Sequence, residues 1–573
     1  MRRIVVAVAM VALLPLSSVL AESGDPDPSF GTNGVATVHP GFDQNLTTGG
    51  IVVQPDGAIV VATRPTTGVH GYFGVARFQD DGTPDPTFGD EGFVSSDLDS
   101  PTSNARASDV VVQPNGKIVA VGSLGYYRYG MVVARLRPGG GFDPTFGDQG
   151  TSVTGVYSTS EGSDTDAFAS AVALDETGRI VVAGAARIPS GGRSRFLVAR
   201  LRSDGTMDDS FGDDPFNRGI VLTRPALGSS SASDLVVQSD GRLLVAGTAG
   251  GRVALVRYRA GGGLDRTFGD AGVVMGQPGT ASSVALLPSG QILVGGTASV
   301  GGSAAMSVWR FRANGTPDAT FGDGGHAIAD LGADTDELAT DLVVAPSGRT
   351  FIGGWSGPPG ESGGDFAVAR LDPSGDPDPA FGTAGWSVTD IGTQLDVLTG
   401  LALQHDGKVL AAGYGSNALG QYLGLVRYDV ATGQPDTAIA RTGGEFVGED
   451  IYGRSGVGQS RRLALARGAS GSLTVRVGND GTVPAQYTVD GCGSGGGLSL
   501  TYRSGAEDVT AAVIGDGYQT NTVDPRADVT IELEVTARQT ADVGHRTACT
   551  VKAVSSVDGL ESDAVLAVIE IVA

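Results

Sequence analysis

Few residues in this 573-residue chain carry types and spacings that could do chemistry. Gly360-Glu361-Ser362-Gly363-Gly364 has the Gly-x-Ser-x-Gly form of a serine nucleophile loop. A nucleophile elbow needs a strand before it, a helix after it and a histidine base within reach. This segment is a glycine-rich link between strands, so no catalytic residue is assigned. The five histidines, His39, His70, His326, His405 and His545, include no pair at metal-ligand spacing, and no Cys-x-x-Cys accompanies them. Neither a zinc site nor any other metal or cofactor site is therefore assigned. Asp80-Asp81-Gly82 to Asp85 is oxygen-rich enough to suggest calcium, yet it lacks a twelve-residue loop with a closing glutamate. Aspartates that bond their own backbone in a turn account for it. Trp309, Trp355 and Trp386 offer faces on which sugars could stack, and the same faces serve packing. Cys492 and Cys549, the only cysteines, read as one disulfide in an exported chain.

One charged pattern recurs. Arg77, Arg135, Arg200, Arg257, Arg310 and Arg370 each precede an aspartate by eight residues (Asp85, Asp143, Asp208, Asp265, Asp318, Asp378), and Arg427 precedes Asp436 by nine. A multiply repeated active site makes a strange enzyme. The expectation is a charge-assisted clamp that holds the connection between repeated units.

The elements that position these residues follow from a second periodicity. Asp-x-Thr/Ser/Ala-Phe-Gly recurs at Phe30, Phe88, Phe146, Phe211, Phe268, Phe321 and Phe381, and a decayed copy puts Ile439 in the next place, with a mean spacing of about 58 residues. Within a unit come a short strand (Val35 to Val38), a second (Ile51 to Gln54), the turn Pro55-Asp56-Gly57, a third strand (Ala58 to Ala62) and a fourth (Phe73 to Phe78). Proline presets φ and glycine accepts positive φ, so such turns make hairpins. A four-stranded sheet with two apolar faces cannot stand alone and must be covered by its neighbours. The expected fold is all-β: a seven-bladed β-propeller of four-stranded antiparallel blades over residues 22–442. If the second strand is innermost, Val35 to Val38 has no partner in its own blade and must complete the last one beside Leu423 to Tyr428.

Segments such as Phe-Gly-Asp-x-Gly, Val-Val-Gln-Pro-Asn-Gly-Lys-Ile and Ala-Arg-Leu/Phe resemble the delta-60 repeat, a bacterial repeat usually rendered as a propeller and without a general assigned activity. The resemblance runs from Gly24 to Ala440. Pro288-Ser289-Gly290 and Pro346-Ser347-Gly348 depart from it by lacking the turn acid, which is therefore dispensable.

From about Gly443 the pattern changes. Val529, Ile531, Leu533 and Val535 alternate with Thr530, Glu532, Glu534 and Thr536, a half-buried strand. Residues 443–573 read as a small β-sandwich that looks like the immunoglobulin-like modules of secreted bacterial proteins. Residues 1–21, with Arg2, Arg3 and the apolar run Ile4 to Leu14, read as a cleaved signal peptide, too short to span a bilayer. The implied location is secreted, extracellular or on the cell envelope, with no membrane insertion after cleavage. A net charge of −24 excludes the basic stripe that nucleic acid requires. Three lysines against many arginines suggest a high-GC bacterial genome.

Comparison of the units predicts two unlike ends. The turn after the second strand and the link carrying Asp-x-Thr-Phe-Gly stay alike, except for an insertion at Asp213 to Arg218, whereas the other two connections vary. Variable loops on a rigid scaffold are where binding usually resides. The expected function is a secreted non-catalytic binding or adhesion protein that engages an extracellular protein or glycan through that end. The alternative is a secreted polysaccharide-acting hydrolase or lyase with its site at the propeller channel.

Overall fold

The computed structural model describes residues 23–572 except 40–44, 68–69, 99–103, 126–128, 159–162, 188–192, 333–334, 362, 393–394, 418–419, 431–434, 449–458, 482 and 557–561. The expected signal peptide and Ser362 lie outside the described residues. Nearly all ordered structure is β, and the single α-helix described is the turn Thr510–Val513.

The repeats fold as four-stranded antiparallel sheets. Asn104–Val112, Ile118–Gly125, Tyr129–Leu136 and Thr151–Thr154 pair in that order, and the same order recurs from Asn45–Val53 onward through each repeat. Runs of valine, isoleucine and leucine favour the pleated, doubly covered middle strands; Ile59–Thr67 and Phe73–Phe78 are buried almost throughout. Each hairpin closes where the sequence calls for it: Gln54 N–H donates to Ala58 O at 2.8 Å and Gly57 takes φ +86°.

The first strand of each sheet contacts the first strands of the sheets before and after it, and Asp396–Leu403 closes against Asn45–Val53, so the array is a ring. Closure uses the N-terminus. Val35–Val38 pairs antiparallel with Leu423–Val426 in the sheet of Asp396–Leu403, Val409–Asn417 and Gly420–Tyr428. Gly24 N–H donates to Asp429 O and Asp27 N–H to Arg427 O, each at 2.7 Å. The clasp removes the open edges that a linear array would expose.

Arginine clamps lock neighbouring sheets together. In each, the guanidinium holds its aspartate, lies 4.4 to 5.2 Å above the repeat phenylalanine, and in most repeats reaches a main-chain oxygen of the next sheet. Arg77 bonds Asp85 Oδ2 at 2.7 Å and Pro138 O at 2.5 Å; Arg257 bonds Asp265 Oδ2 at 2.9 Å and Ala313 O at 2.6 Å. The landmark phenylalanines are thus the buried floor under each guanidinium.

The last pair differs from the expectation. Arg427 bonds Asp27 Oδ2 at 2.7 Å, not Asp436, and lies over Phe30 at 4.8 Å. Ring closure brings the first Asp-x-Ser-Phe to the last arginine, so no later copy is needed. Asp436 and Ile439 instead sit in the strand Pro435–Arg441, which pairs with Ser470–Asn479. Pro435–Arg441 thus pairs with a strand from beyond the repeats.

A second unit contains two five-stranded sheets. They share one core that includes Leu473, Val475, Tyr502, Ile531, Leu533, Val551 and Ile569. Along Asp528–Ala537 the residues Ile531, Leu533 and Val535 are buried and alternate with more exposed neighbours. Ser460–Ala466 runs parallel to Ser562–Val572. Cys492 and Cys549 are bridged, with Cα atoms 5.7 Å apart.

Candidate functional site

Along the ring axis, every innermost strand carries a bulge. The register against the second strand slips between Ala107 and Asp109, Ala232 and Asp234, Ala339 and Asp341, and at the equivalent point of the other sheets. A bulge leaves one residue outside the ladder and re-aims it. Here it turns Ser108, Ser170, Ser233, Ser282, Thr340 and Thr399 toward a central cavity of about 350 Å³. Several of these hydroxyls tie one sheet to the next: Ser233 Oγ donates to Ala281 O at 2.7 Å, Ser282 Oγ to Ala339 O at 2.6 Å and Thr399 Oγ1 to Gly49 O at 3.1 Å.

Three aspartates, in alternate repeats, follow these hydroxyl residues. Asp109 accepts from Val110 N at Oδ1 and from Val172 N of the next sheet at Oδ2, both at 2.8 Å. Asp234 does the same with Leu235 N and Val284 N, each at 2.7 Å, and Asp341 with Leu342 N at 2.7 Å and Leu401 N at 2.8 Å. Each carboxylate thus spans two amides and fastens one pair of sheets. Gly50 stands against the first of them, where a Cβ would come within 2.0 Å of Asp109 Oδ1.

These half-buried carboxylates line the axial cavity, and desolvation there pushes their pKa values up, to about 8 for Asp109, about 6 for Asp234 and about 7 for Asp341. The charges of Asp234 and Asp341 add to the rise at Asp109. Both oxygens of each group hold main-chain amides, and the cavity lining includes neither aromatic nor histidine. Each carboxylate in this arrangement braces two sheets. The sequence pattern had a trace of it, since Ser108-Asp109-Val110, Ser233-Asp234-Leu235 and Thr340-Asp341-Leu342 recur in alternate units. Placing the second strand innermost brought the neighbouring runs Val110 to Val112 and Leu235 to Val237 to the axis, but nothing in the sequence showed that the aspartates bridge consecutive sheets.

The two ends of the ring are unlike. At one end, five residues separate Val53 from Ile59, Val112 from Ile118, Val237 from Leu243 and Val344 from Thr350, and the arginine clamps lie at that end. At the other, the strand Val273–Pro278 runs into Thr280–Leu286 through Gly279 alone, whereas Trp386–Thr389 and Asp396–Leu403 are joined by six residues. Gly250 and Gly251 turn Leu243–Ala249 into Arg252–Tyr258, but seven residues join Thr350–Gly357 to Asp365–Leu371. At this variable end Arg106 lies over Phe168 at 5.7 Å, and Tyr129 packs against that ring at 5.1 Å.

The candidates from the sequence fall elsewhere. Trp309, Trp355 and Trp386 are buried and pack the core; Trp309 stacks on His326 at 4.9 Å. His405 meets Gln54 O at 3.3 Å and His545 meets Thr547 Oγ1 at 2.9 Å, far apart in the chain and in separate units. Asp81 Oδ1 accepts from Thr83 N at 2.8 Å and Thr83 Oγ1 at 2.7 Å, and Asp85 belongs to a clamp, so the Asp80 to Asp85 segment is a turn.

Six segments, 54–88, 113–146, 176–211, 238–268, 287–321 and 345–381, match the family model described as Domain of unknown function (DUF5122) beta-propeller. The chain is a β-propeller repeat protein. Each segment runs from the hairpin turn through the clamp arginine and its aspartate to the landmark phenylalanine, so the family pattern coincides with the clamped end of the ring. No curated protein matches the chain. Among solved structures it is similar to a protein from Lactobacillus plantarum, at 13% identity over 60% of this chain and 88% of that one, with a TM-score of 0.36. It is also similar to Chaetomium thermophilum Sqt1 bound to the N-terminus of the ribosomal protein L10 (12% identity, 69% and 98% covered, TM-score 0.34). A third is the polysaccharide lyase Uly1 (10% identity, 71% and 97% covered, TM-score 0.31).

Proposed function

We propose that this protein is a secreted, non-catalytic binding or adhesion protein, built as a seven-bladed propeller of the delta-60 kind followed by an immunoglobulin-like sandwich. Its ligand is an extracellular protein or glycan, held on the end of the ring where the connections differ from repeat to repeat. The contrast between the two ends carries this reading. One end is repeated, clamped and alike apart from the insertion at Asp213 to Arg218, and the other spends its sequence variety on loops over a rigid ring. Seven innermost strands line one axial cavity, which supports the blade count. Two five-stranded sheets around one core support the sandwich. Engagement of the axial carboxylates by main-chain amides argues against the polysaccharide-acting hydrolase or lyase. No helix among the described residues is long and apolar enough to cross a membrane.

A glycan array and an extracellular-protein array probed with the full mature chain test the proposal. Retention without product release, weakened by Arg106→Ala and Phe168→Ala together, is the expected result. Release of shortened saccharide would replace it with the enzymatic reading.

A further inference from the structure

A cluster that no sequence motif announced stands on the variable end, where the sheet of Asp336–Val344 meets that of Asp396–Leu403. Asp365 opens the strand Asp365–Leu371, Asp390 follows Trp386–Thr389, and Asp396 opens Asp396–Leu403. One carboxylate oxygen from each of the three lies within 4.8 Å of the others. The backbone holds this arrangement. Asp396 and Gly364 exchange main-chain bonds across the seam at 2.8 and 3.2 Å. Asp396 Oδ2 accepts from Ile391 N at 2.8 Å and Gly392 N at 3.1 Å, and Gly392 N also donates to Asp390 Oδ1 at 2.9 Å.

Asp396 Oδ1 is the unexplained atom. The residue is 2% exposed, yet this oxygen has no hydrogen-bond donor. Gly392 and Gly415 press on it so closely that a Cβ on either would stand 2.8 or 2.6 Å away. No ion pair joins any of the three aspartates to a lysine, arginine or histidine among the described residues. A buried acceptor without a donor and a carboxylate cluster without a counter-charge are both costly. One cation removes both costs.

We propose that Asp365, Asp390 and Asp396 hold a calcium ion that fastens the two links of this seam. An all-oxygen, carboxylate-rich donor set with no nitrogen or sulfur suits a hard cation rather than zinc. Calcium binds oxygen at about 2.3–2.6 Å, so ligands on opposite sides of it stand roughly 4.8 Å apart. The spacing of the three carboxylates spans such an ion, and waters or main-chain oxygens complete its shell. Magnesium demands a tighter, near-octahedral set. The site does not depend on the binding reading, because it would fasten the seam whether or not that end holds a ligand.

Isothermal titration calorimetry of calcium chloride into the full mature chain, stripped with chelator, tests it. One site of roughly 10⁻⁴–10⁻³ M affinity is expected, with a matching rise in melting temperature. Asp396→Asn disturbs buried main-chain bonds and can fail to fold, so Asp365→Asn and Asp390→Asn are the informative variants. Each should fold and weaken calcium by at least about tenfold through loss of a charged ligand, while the exposed Asp148→Asn should not. Absence of calcium binding up to about 10 mM, or affinity unchanged in Asp365→Asn and Asp390→Asn, would overturn the assignment.

Discussion

Replacing Arg135 with alanine tests whether the clamps hold the ring. Arg135 Nε donates to Asp143 Oδ2 at 2.8 Å, Nη2 to Thr145 Oγ1 at 3.1 Å and Nη1 to Ser203 O of the next sheet, and the guanidinium lies 4.7 Å over Phe146. Both partners are shielded, with side-chain exposures of 7% and 4%. Removing one member of a buried ion pair costs about 3–5 kcal/mol, because the other charge is left without its partner. Lys117 remains on Asp143 at 2.7 Å. The loss should therefore fall at the low end, about 3 kcal/mol. With an unfolding entropy of about 2.1 cal/mol/K per residue over roughly 400 residues, that loss lowers Tm by about 4 °C. Differential scanning calorimetry reads it directly. Adding Lys117→Ala should deepen the effect beyond the sum of the single variants, since the two cations share one carboxylate. The exposed Arg137→Ala serves as the control. A drop for Arg135→Ala under about 1 °C, no larger than the control, would refute the clamp as a source of stability.

Other outcomes follow from the same geometry. Phe30→Ala removes a fully buried ring that closes the last sheet and should cost about 3–5 kcal/mol; deleting residues 23–38 should destabilise the whole ring, seen as a cooperative fall in Tm, and retention of the wild-type Tm would overturn the clasp. Burial raises Asp109, Asp234 and Asp341, so their contribution is full below about pH 4 and is lost as pH rises toward their folded values. Clamp acids behave oppositely: despite burial, bonds from Lys408 and Ser29 and the charge of Arg427 hold Asp27 down to about 2, and its contribution is lost as pH falls below about 4. Thermal melts across pH should peak near about pH 5, and the alkaline limb should flatten in Asp234→Asn with Asp341→Asn; a flat profile from 5 to 8 would refute the axial assignment. Thiol labelling of the folded, unreduced protein should find neither Cys492 nor Cys549 reactive, and Cys492→Ser with Cys549→Ser should cost about 2–5 kcal/mol by urea titration.

Local chemistry was legible in the sequence. Alternation and turn residues specify strands within a few positions, so Val35–Val38 and Phe73–Phe78 agree with their predicted spans. The arginine and aspartate eight residues apart form a clamp within one sheet, and the distance between them needs no knowledge of distant chain. Where partners are remote, sequence spacing misled. Asp436 stood nine residues after Arg427 and kept the repeat in phase, yet Asp27 is the partner, 400 residues away. Strand order led to the clasp as an expectation, and the pairing of Val35 with Val426 bears it out.

The sequence by itself determined a secondary structure, a repeat and the clamp within each unit, because hydrophobic period and short-range hydrogen bonding act between residues close in the chain. Only the tertiary structure decided what meets across the units. Closure carried Ser108, Asp109 and their counterparts to one axis, gave Asp27 to the last arginine, and set Asp365, Asp390 and Asp396 around one point. Those encounters depend on where each bulge turns its residue and how consecutive sheets stack, and both are properties of the closed ring rather than of any stretch of the chain.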